Sequence, residues 1–276
     1  MSESDSVLAG VIQMTSTADV EANMATVRAL VREAAARGAQ VVVVPECFAY
    51  LGPEAGKLDI AEPLEGDADG PILAACRDIA REAGTDVVYG GFWERGHSPA
   101  KVRNACVYMR ADGSIAEVYR KIHLFDVDLP DGTKLLESET VEPGEEARVA
   151  EAPFGTLGLS VCYDLRFPEL YRELVDQGAI ALAVPAAFTL TTGKDHWHVL
   201  LRARAVEQQC YVLAAAQTGH HYGKRWSYGH AMIVDPWGTV TAQCGEGLGV
   251  AVAPVDPARV ASVRRAVPSL RHRRIR

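Results

Sequence analysis

Three strand-like segments in this chain each stop at a residue able to react, two of them after an apolar run. Val41-Val42-Val43-Val44-Pro45 ends at Glu46, Val118-Tyr119-Arg120 at Lys121, and Gly158-Leu159-Ser160-Val161 at Cys162. A side chain at the end of a buried strand sits at the lip of a sheet, where a ligand can reach it. A cysteine reacts as thiolate, so its pKa is expected to fall below about 8.5. The ammonium of Lys121 would favour that and would stabilise the oxyanion formed when sulfur attacks a carbonyl or nitrile carbon. Glu46 would serve as base, first for the thiol proton and later for the hydrolytic water, provided desolvation lifts its pKa against the pull of Lys121. The backbone N–H of Tyr163 is a natural second oxyanion donor. Attack on an amide would give a thioester and release ammonia, and water would then release the acid.

These residues have other readings. Cys162 alone fits a buried structural thiol, Glu46 a helix cap, Lys121 a solvated hairpin end, and Arg166 an ion pair with Asp164 or Glu169. A papain-like Cys–His pair would need His123, His196 or His230 beside Cys162 and would leave the Glu and Lys segments unexplained. His196-Trp197-His198 is an i,i+2 pair whose rings point apart on a helix, and His220-His221 reads as part of a polar loop. Neither makes a metal-ligand set, so no metal and no organic cofactor are expected.

The elements around these segments alternate. Met24, Val27, Leu30, Val31 and Ala34 recur at helical spacing, as do Ile72, Leu73, Cys76 and Ile79 after Gly70-Pro71. Strands are predicted over 7–14, 40–44, 86–92, 179–184, 210–216, 229–234, 239–243 and 248–254, and a long helix over 194–209. Two hairpins are expected, 104–110 with 114–120 and 147–152 with 156–161. Asp235-Pro236-Trp237-Gly238 reads as a tight turn. The longest irregular stretch is 124–146, and a loop of that length is usually functional. Val-Val-Pro-Glu-Cys-Phe (43–48) is echoed by Ala-Val-Pro-Ala-Ala-Phe (183–188), which suggests two similar halves. Alternating elements with no linker predict an α/β fold in four layers, helix, sheet, sheet, helix, and a single domain over 1–276.

The 276 residues are 48% apolar and carry a net charge of −8. That balance argues against nucleic-acid binding. Six cysteines without CxxC spacing suggest free thiols in a reducing compartment. No stretch has the run of apolar residues a membrane span needs, and the acidic start is unlike a signal peptide. The expectation is a cytoplasmic protein with no membrane contact. The basic tail 264–276 is read as solvated or crossing to another subunit.

The segments Pro45-Glu46, Tyr119-Arg120-Lys121-Ile122-His123-Leu124-Phe125-Asp126 and Val161-Cys162-Tyr163-Asp164-Leu165-Arg166-Phe167-Pro168-Glu169 resemble, in content and order, the signature regions of the carbon–nitrogen hydrolase (nitrilase) superfamily. The resemblance covers about residues 7–274. It implies a Glu46–Lys121–Cys162 triad, with Glu137 as a second glutamate orienting Lys121 and the substrate amide. It also implies that Arg166 binds a substrate carboxylate, with Tyr163, Phe188 and Thr192 around it, and that the chain forms a homodimer or higher homo-oligomer. His123 to Asp128 and Leu190 to Gly193 resemble the amidase branch acting on ω-amides of 2-oxo acids. Within it Arg202 to Val212, Lys224 to His230 and Val234 to Thr239 resemble the deaminated glutathione amidase subgroup, with the ω-amidase subgroup as the runner-up. The implied substrate is a small ω-amide of a 2-oxo or dicarboxylic acid. Nitrilases, carbamoyl-amide hydrolases and a silent binding protein of the same fold share the triad region. The stretch 131–136 departs from the usual loop of that branch.

Overall fold

The computed structural model describes residues 6–66, 68–128 and 134–275. The first half runs β1 (Val7–Met14), α1 (Val20–Ala36), β2 (Val41–Val44), α2 (Gly56–Ile60), α3 (Pro71–Ala83), β3 (Asp86–Arg95), β4 (Val102–Met109) and β5 (Ile115–Arg120). A connecting region follows, with β6 (Asp126–Asp128), β7 (Lys134–Leu136), a 3₁₀ turn at Glu137–Glu139 and β8 (Val141–Glu142). Next come β9 (Val149–Ala152), β10 (Gly155–Leu159), a 3₁₀ turn at Cys162–Arg166, α4 (Pro168–Asp176), β11 (Ala181–Ala183), α5 (Leu190–Gln208) and β12 (Tyr211–Ala214). The chain ends with β13 (Ala216–Tyr222), β14 (Arg225–Tyr228), β15 (Met232–Val234), β16 (Val240–Gln243), β17 (Gly249–Val255), α6 (Pro257–Ala266) and α7 (Ser269–His272).

One sheet has the order β14-β13-β1-β2-β3-β4-β5, with β17 also on β1 and β8 on β4; the other is β16-β15-β12-β11-β10-β9. The valines of β2 show how the layers arise. All are fully buried, and successive side chains of a strand point to opposite faces. Val42 and Val44 pack with Val27, Val31 and Ile79 of α1 and α3. Val41 and Val43 face the other way, into a cluster with Leu157, Leu159, Ala181 and Ala183 of the second sheet. A strand buried on both faces must read as a continuous apolar run. On the far side Leu170 and Leu174 of α4 and Trp197 and Leu201 of α5 join that second cluster. The order is helix, sheet, sheet, helix, as the alternation predicts.

Both expected hairpins are present, and the Asp235–Gly238 turn closes with a 2.9 Å bond from the N–H of Gly238 to the Asp235 carbonyl. Several expectations need correction. The predicted strand 210–216 is two strands in different sheets, since β12 pairs with β11 and β13 with β1. The predicted strand 229–234 is β15 alone, and His220-His221 lies in β13 rather than in a loop. His221 is buried, bonded to the Ser16 carbonyl at 2.7 Å and Ser227 Oγ at 2.8 Å. Burial lowers its pKa to about 4, so the ring is neutral. A strand whose polar side chains are satisfied by neighbours leaves no apolar alternation to read. The long helix starts at Leu190, where the Thr189 hydroxyl caps it. Stretch 124–146 is not irregular throughout, since β6 and β7 pair as a ribbon; of the atypical loop 131–136, residues 131–133 lie outside the described residues. The basic tail is docked, with Arg264 donating to the Ala179 carbonyl at 2.8 Å and Arg273 paired with Asp176.

Candidate active site

Two turns with unusual backbone place the reactive groups. Cys47 and Cys162 both have positive φ, 60° and 50°. For a non-glycine residue this conformation is costly and is characteristic of functional sites. It turns the chain sharply off the ends of β2 and β10, so that Glu46 and the Cys162 thiol both point into the gap between the sheets. Room for the first turn comes from Gly90-Gly91, at a register shift of β3. A Cβ on Gly91 would lie 2.4 Å from the Cys47 nitrogen and 2.8 Å from Glu46 Cγ. A Cβ on Gly90 would lie 2.1 Å from Cβ of Pro185. Pro185 in turn accepts the N–H of Cys162 at 2.9 Å, so this glycine pair lets the first sheet approach the turn at Cys162.

Lys121 is 2% exposed and held by two carboxylates. Its Nζ lies 3.1 Å from Glu46 Oε1, and 3.1 and 2.8 Å from the two oxygens of Glu137. Glu46 Oε2 accepts the Ala187 N–H at 3.0 Å. Glu137 Oε2 accepts the Phe125 N–H at 2.7 Å, which places this glutamate at the base of the β6–β7 ribbon. The Cys162 thiol faces the same Glu46 carboxylate, whose charge acts on it. Glu46, Lys121, Glu137 and Cys162 line one cavity of about 350 Å³, together with Trp93 and Arg225. Arg166, Tyr163, Phe188 and Thr192 surround a much smaller notch, of about 10 Å³, on the other side of Cys162. The eight residues of the triad and carboxylate-site reading therefore line the two cavities that meet at this one thiol. Arg166 is not paired with Asp164 or Glu169; its guanidinium lies 5.3 Å from the Phe188 ring and 5.9 Å from that of Tyr163, with Nη2 3.3 Å from His196 Nδ1.

The electrostatics correct one expectation. Burial, then the negative charge of Glu46, push the Cys162 thiol well above its ordinary value, and Lys121 offsets them only in part. Burial alone would raise Glu46, but the charge of Lys121 and hydrogen bonds from Cys162, Lys121 and Asn104 more than offset it. Its pKa is held below the usual carboxylate range rather than lifted. Burial would lower Lys121, yet Glu137 and Glu46 raise it well above normal. The resting set is thiol, carboxylate and ammonium. A carboxylate in contact with a neutral thiol can take its proton as the sulfur attacks.

Sequence reasoning missed three supporting residues. Asn104, on β4 opposite Trp93, donates to Glu46 Oε1 at 3.0 Å and Glu137 Oε1 at 3.1 Å, while its carbonyl accepts the Lys121 N–H at 2.9 Å. The only cue was a buried amide in a largely apolar strand, next to Arg103. Asp164, fully buried, accepts from Tyr119 Oη at 2.7 Å and from the N–H groups of Val161 and His123 at 2.8 and 3.1 Å. It ties the turn at Cys162 to the segment that carries Lys121. Gln217 donates to the Glu46 carbonyl at 2.9 Å and fixes that turn from β13. The rival Cys–His pairing has no support in this arrangement. His123 Nδ1 is 2.7 Å from Asp164, its ring stacked on Phe167, while His196 is with Arg166 and His230 with Tyr228. Among the described residues no cluster of His, Cys, Asp or Glu could hold a metal ion, and all six cysteines are free and buried.

Residues 8–265 match the family model described as carbon-nitrogen hydrolase. The chain belongs to the carbon–nitrogen hydrolase family. It is 45% identical over 272 residues to deaminated glutathione amidase of Homo sapiens, covering 97% of this chain and 82% of the relative. The figure is also 45% for the deaminated glutathione amidase of a Synechocystis strain, covering 96% of this chain and 97% of that one. Among solved structures, Saccharomyces cerevisiae Nit3, described as a member of branch 10 of the nitrilase superfamily, superposes with a TM-score of 0.86 at 30% identity, covering 98% of this chain and 97% of that one. As a member of this family the chain is an enzyme of carbon–nitrogen bond hydrolysis. No helix among the described residues is long and apolar enough to cross a membrane.

Proposed function

We propose that this chain is an amidase acting on deaminated glutathione through a Glu46–Lys121–Cys162 triad. The observation that carries the mechanism is the buried contact set in which Lys121 Nζ bridges Glu46 and Glu137 in the cavity that Cys162 also lines. The substrate rests on the similarity to relatives of that name.

Glu46 takes the proton as Cys162 sulfur attacks the amide carbon. The oxyanion forms beside Lys121 and the backbone N–H of Tyr163, in a site where low dielectric strengthens such contacts. The C–N bond breaks as protonated Glu46 returns its proton to the departing nitrogen, leaving a thioester on Cys162. Glu46 then deprotonates water, which attacks the thioester, and the acid leaves as sulfur regains a proton. In deaminated glutathione the scissile nitrogen belongs to cysteinylglycine, so the leaving group is that dipeptide's amine. Ammonia, expected from the sequence reading, leaves only when the substrate is a primary amide. Arg166, at the border of the small notch, meets the carboxylate of the 2-oxo acid, with Phe188 and Thr192 beside it, and a guanidinium suits the task because it grips both oxygens. The exposed Val199 and Val206 of α5 and nearby Trp237 support pairing of copies through this face.

The test is turnover of deaminated glutathione, 2-oxoglutaramate and a simple nitrile side by side at pH 7–8, reading the acid product. Preference for deaminated glutathione supports the assignment. Preference for 2-oxoglutaramate moves the chain to ω-amidase activity, and preference for the nitrile removes the amidase reading.

A further inference from the structure

The cations around the thiol are unequally committed. Lys121 is engaged by two carboxylates. Lys57, on the wall of the larger cavity, pairs with Glu54 and lies 4.5 Å above the Trp93 ring. Arg166 borders the small notch. Arg225 lines the larger cavity and makes no ion pair among the described residues. Its Nη2 donates to the Ala187 carbonyl at 2.7 Å, and its Nη1 is buried with no hydrogen-bond partner. That nitrogen is closed off, but the guanidinium as a whole borders the cavity with no carboxylate among the described residues against it, and an anionic oxygen in the cavity is the natural partner of its charge.

The placement of Arg225 is fixed by backbone. It opens β14, whose Tyr228 N–H donates to the Phe188 carbonyl at 3.0 Å and whose Ser227 bridges Thr189. Ala187 gives its N–H to Glu46 and its carbonyl to Arg225, so the guanidinium sits one peptide unit from the base. Arg166 and Arg225 thus border different cavities that share Cys162, Phe125 and Ala187. A primary amide has no leaving group to fill about 350 Å³, a volume in the range of pockets built for whole small ligands.

We propose that Arg225 receives a carboxylate carried by the amine side of the scissile bond, and so selects amides whose leaving group is itself an acid. The proposal rests on the amidase reading above and adds a direction to it: the 2-oxo acyl group lies toward Arg166 and the peptide-like amine toward Arg225. Deaminated glutathione has a carboxylate at each end, whereas 2-oxoglutaramate has none on the amine side.

The experiment compares deaminated glutathione, the same molecule with its glycine carboxylate capped as an amide, and 2-oxoglutaramate, in the wild type and in Arg225→Gln. One charge-assisted contact predicts that the wild type prefers the free acid over the capped form by about 10- to 100-fold in kcat/KM. R225Q loses that preference, mainly through KM, while 2-oxoglutaramate turnover stays within about threefold. A preference that survives in R225Q, or equal losses on all three substrates, overturns the proposal, the second outcome marking a structural role through Ala187. Absence of wild-type turnover on every amide defeats the amidase reading instead. Binding of deaminated glutathione to C162A, measured by calorimetry, then decides Arg225 separately: weaker binding in C162A/R225Q supports its role, and unchanged affinity overturns it.

Discussion

The two strand ends Val43-Val44-Pro45-Glu46-Cys47-Phe48 and Ala183-Val184-Pro185-Ala186-Ala187-Phe188 share a design and differ in what they contribute. Each leaves a central strand of its sheet at a proline and ends at a buried phenylalanine. The first carries the carboxylate of Glu46 as a side chain, the proposed base. The second has only methyl groups there and contributes backbone: the Ala187 N–H bonds Glu46, the Ala187 carbonyl holds Arg225, and the Pro185 carbonyl takes the Cys162 N–H. The lesson is that a repeated fold segment need not repeat chemistry. One copy supplies charge, and the other supplies the fixed dipoles that hold charge in place.

The contrast can be broken at several points. Replacing Cys162 by Ala should abolish turnover, a loss of about 10⁴-fold or more, with circular dichroism and melting close to wild type; activity near wild type would remove sulfur as nucleophile. Glu46→Gln keeps the shape of the first strand end but removes its base. A loss of about 10²- to 10⁴-fold in kcat is expected, and a loss confined to KM would show that the carboxylate only positions substrate. Gly91→Ala tests the space that the charged copy needs. A methyl 2.4 Å from the Cys47 nitrogen, at φ +66°, should lower stability by about 1–3 kcal/mol and reduce activity with it. A melting point unchanged from wild type would contradict that geometry.

The pH profile sharpens the same comparison. As the proposed base Glu46 must be ionised, and its pKa lies below the ordinary 4.5 because Lys121 and its hydrogen bonds outweigh burial. Activity should therefore fall only as pH drops below about 4.5. Cys162 and Lys121 are both raised, so no basic limb is expected near neutrality. An acid limb in kcat/KM between pH 6 and 7 would mean another group serves as base. The smallest effect is expected from Arg166→Lys, about tenfold on substrates with a 2-oxo carboxylate and less on neutral amides, because Lys keeps charge but not the two-pronged grip. Equal losses on both substrate types would remove Arg166 from carboxylate binding.

Lys121 follows the charged Arg120 at a hairpin end, and only the motif around it marked it in the sequence; Glu46 and Cys162 were visible because each ends an apolar run, where a charge or thiol has no packing reason. The four layers were visible for the same reason: β2 is buried on both faces and reads as uninterrupted valine. Glu137 needed family resemblance, since acidic residues crowd its surroundings and only the β6–β7 ribbon brings it to Lys121. Asn104 and Asp164 stayed hidden because their roles arise from pairing between distant segments. β13 and β14 were missed because His220, His221 and Ser227 take partners across the pair and interrupt alternation. The direction of the Glu46 and Cys162 shifts was also beyond sequence reasoning, since it depends on how many partners reach a buried carboxylate.

The central claim is a thioester on Cys162. Turnover in the presence of hydroxylamine tests it most directly, with the released amine and the acyl product both measured. A thioester partitions between water and hydroxylamine, so the 2-oxo acyl hydroxamate should appear at the expense of the acid and be absent with C162A. Acid alone at every hydroxylamine concentration, or hydroxamate still formed by C162A, would contradict the account.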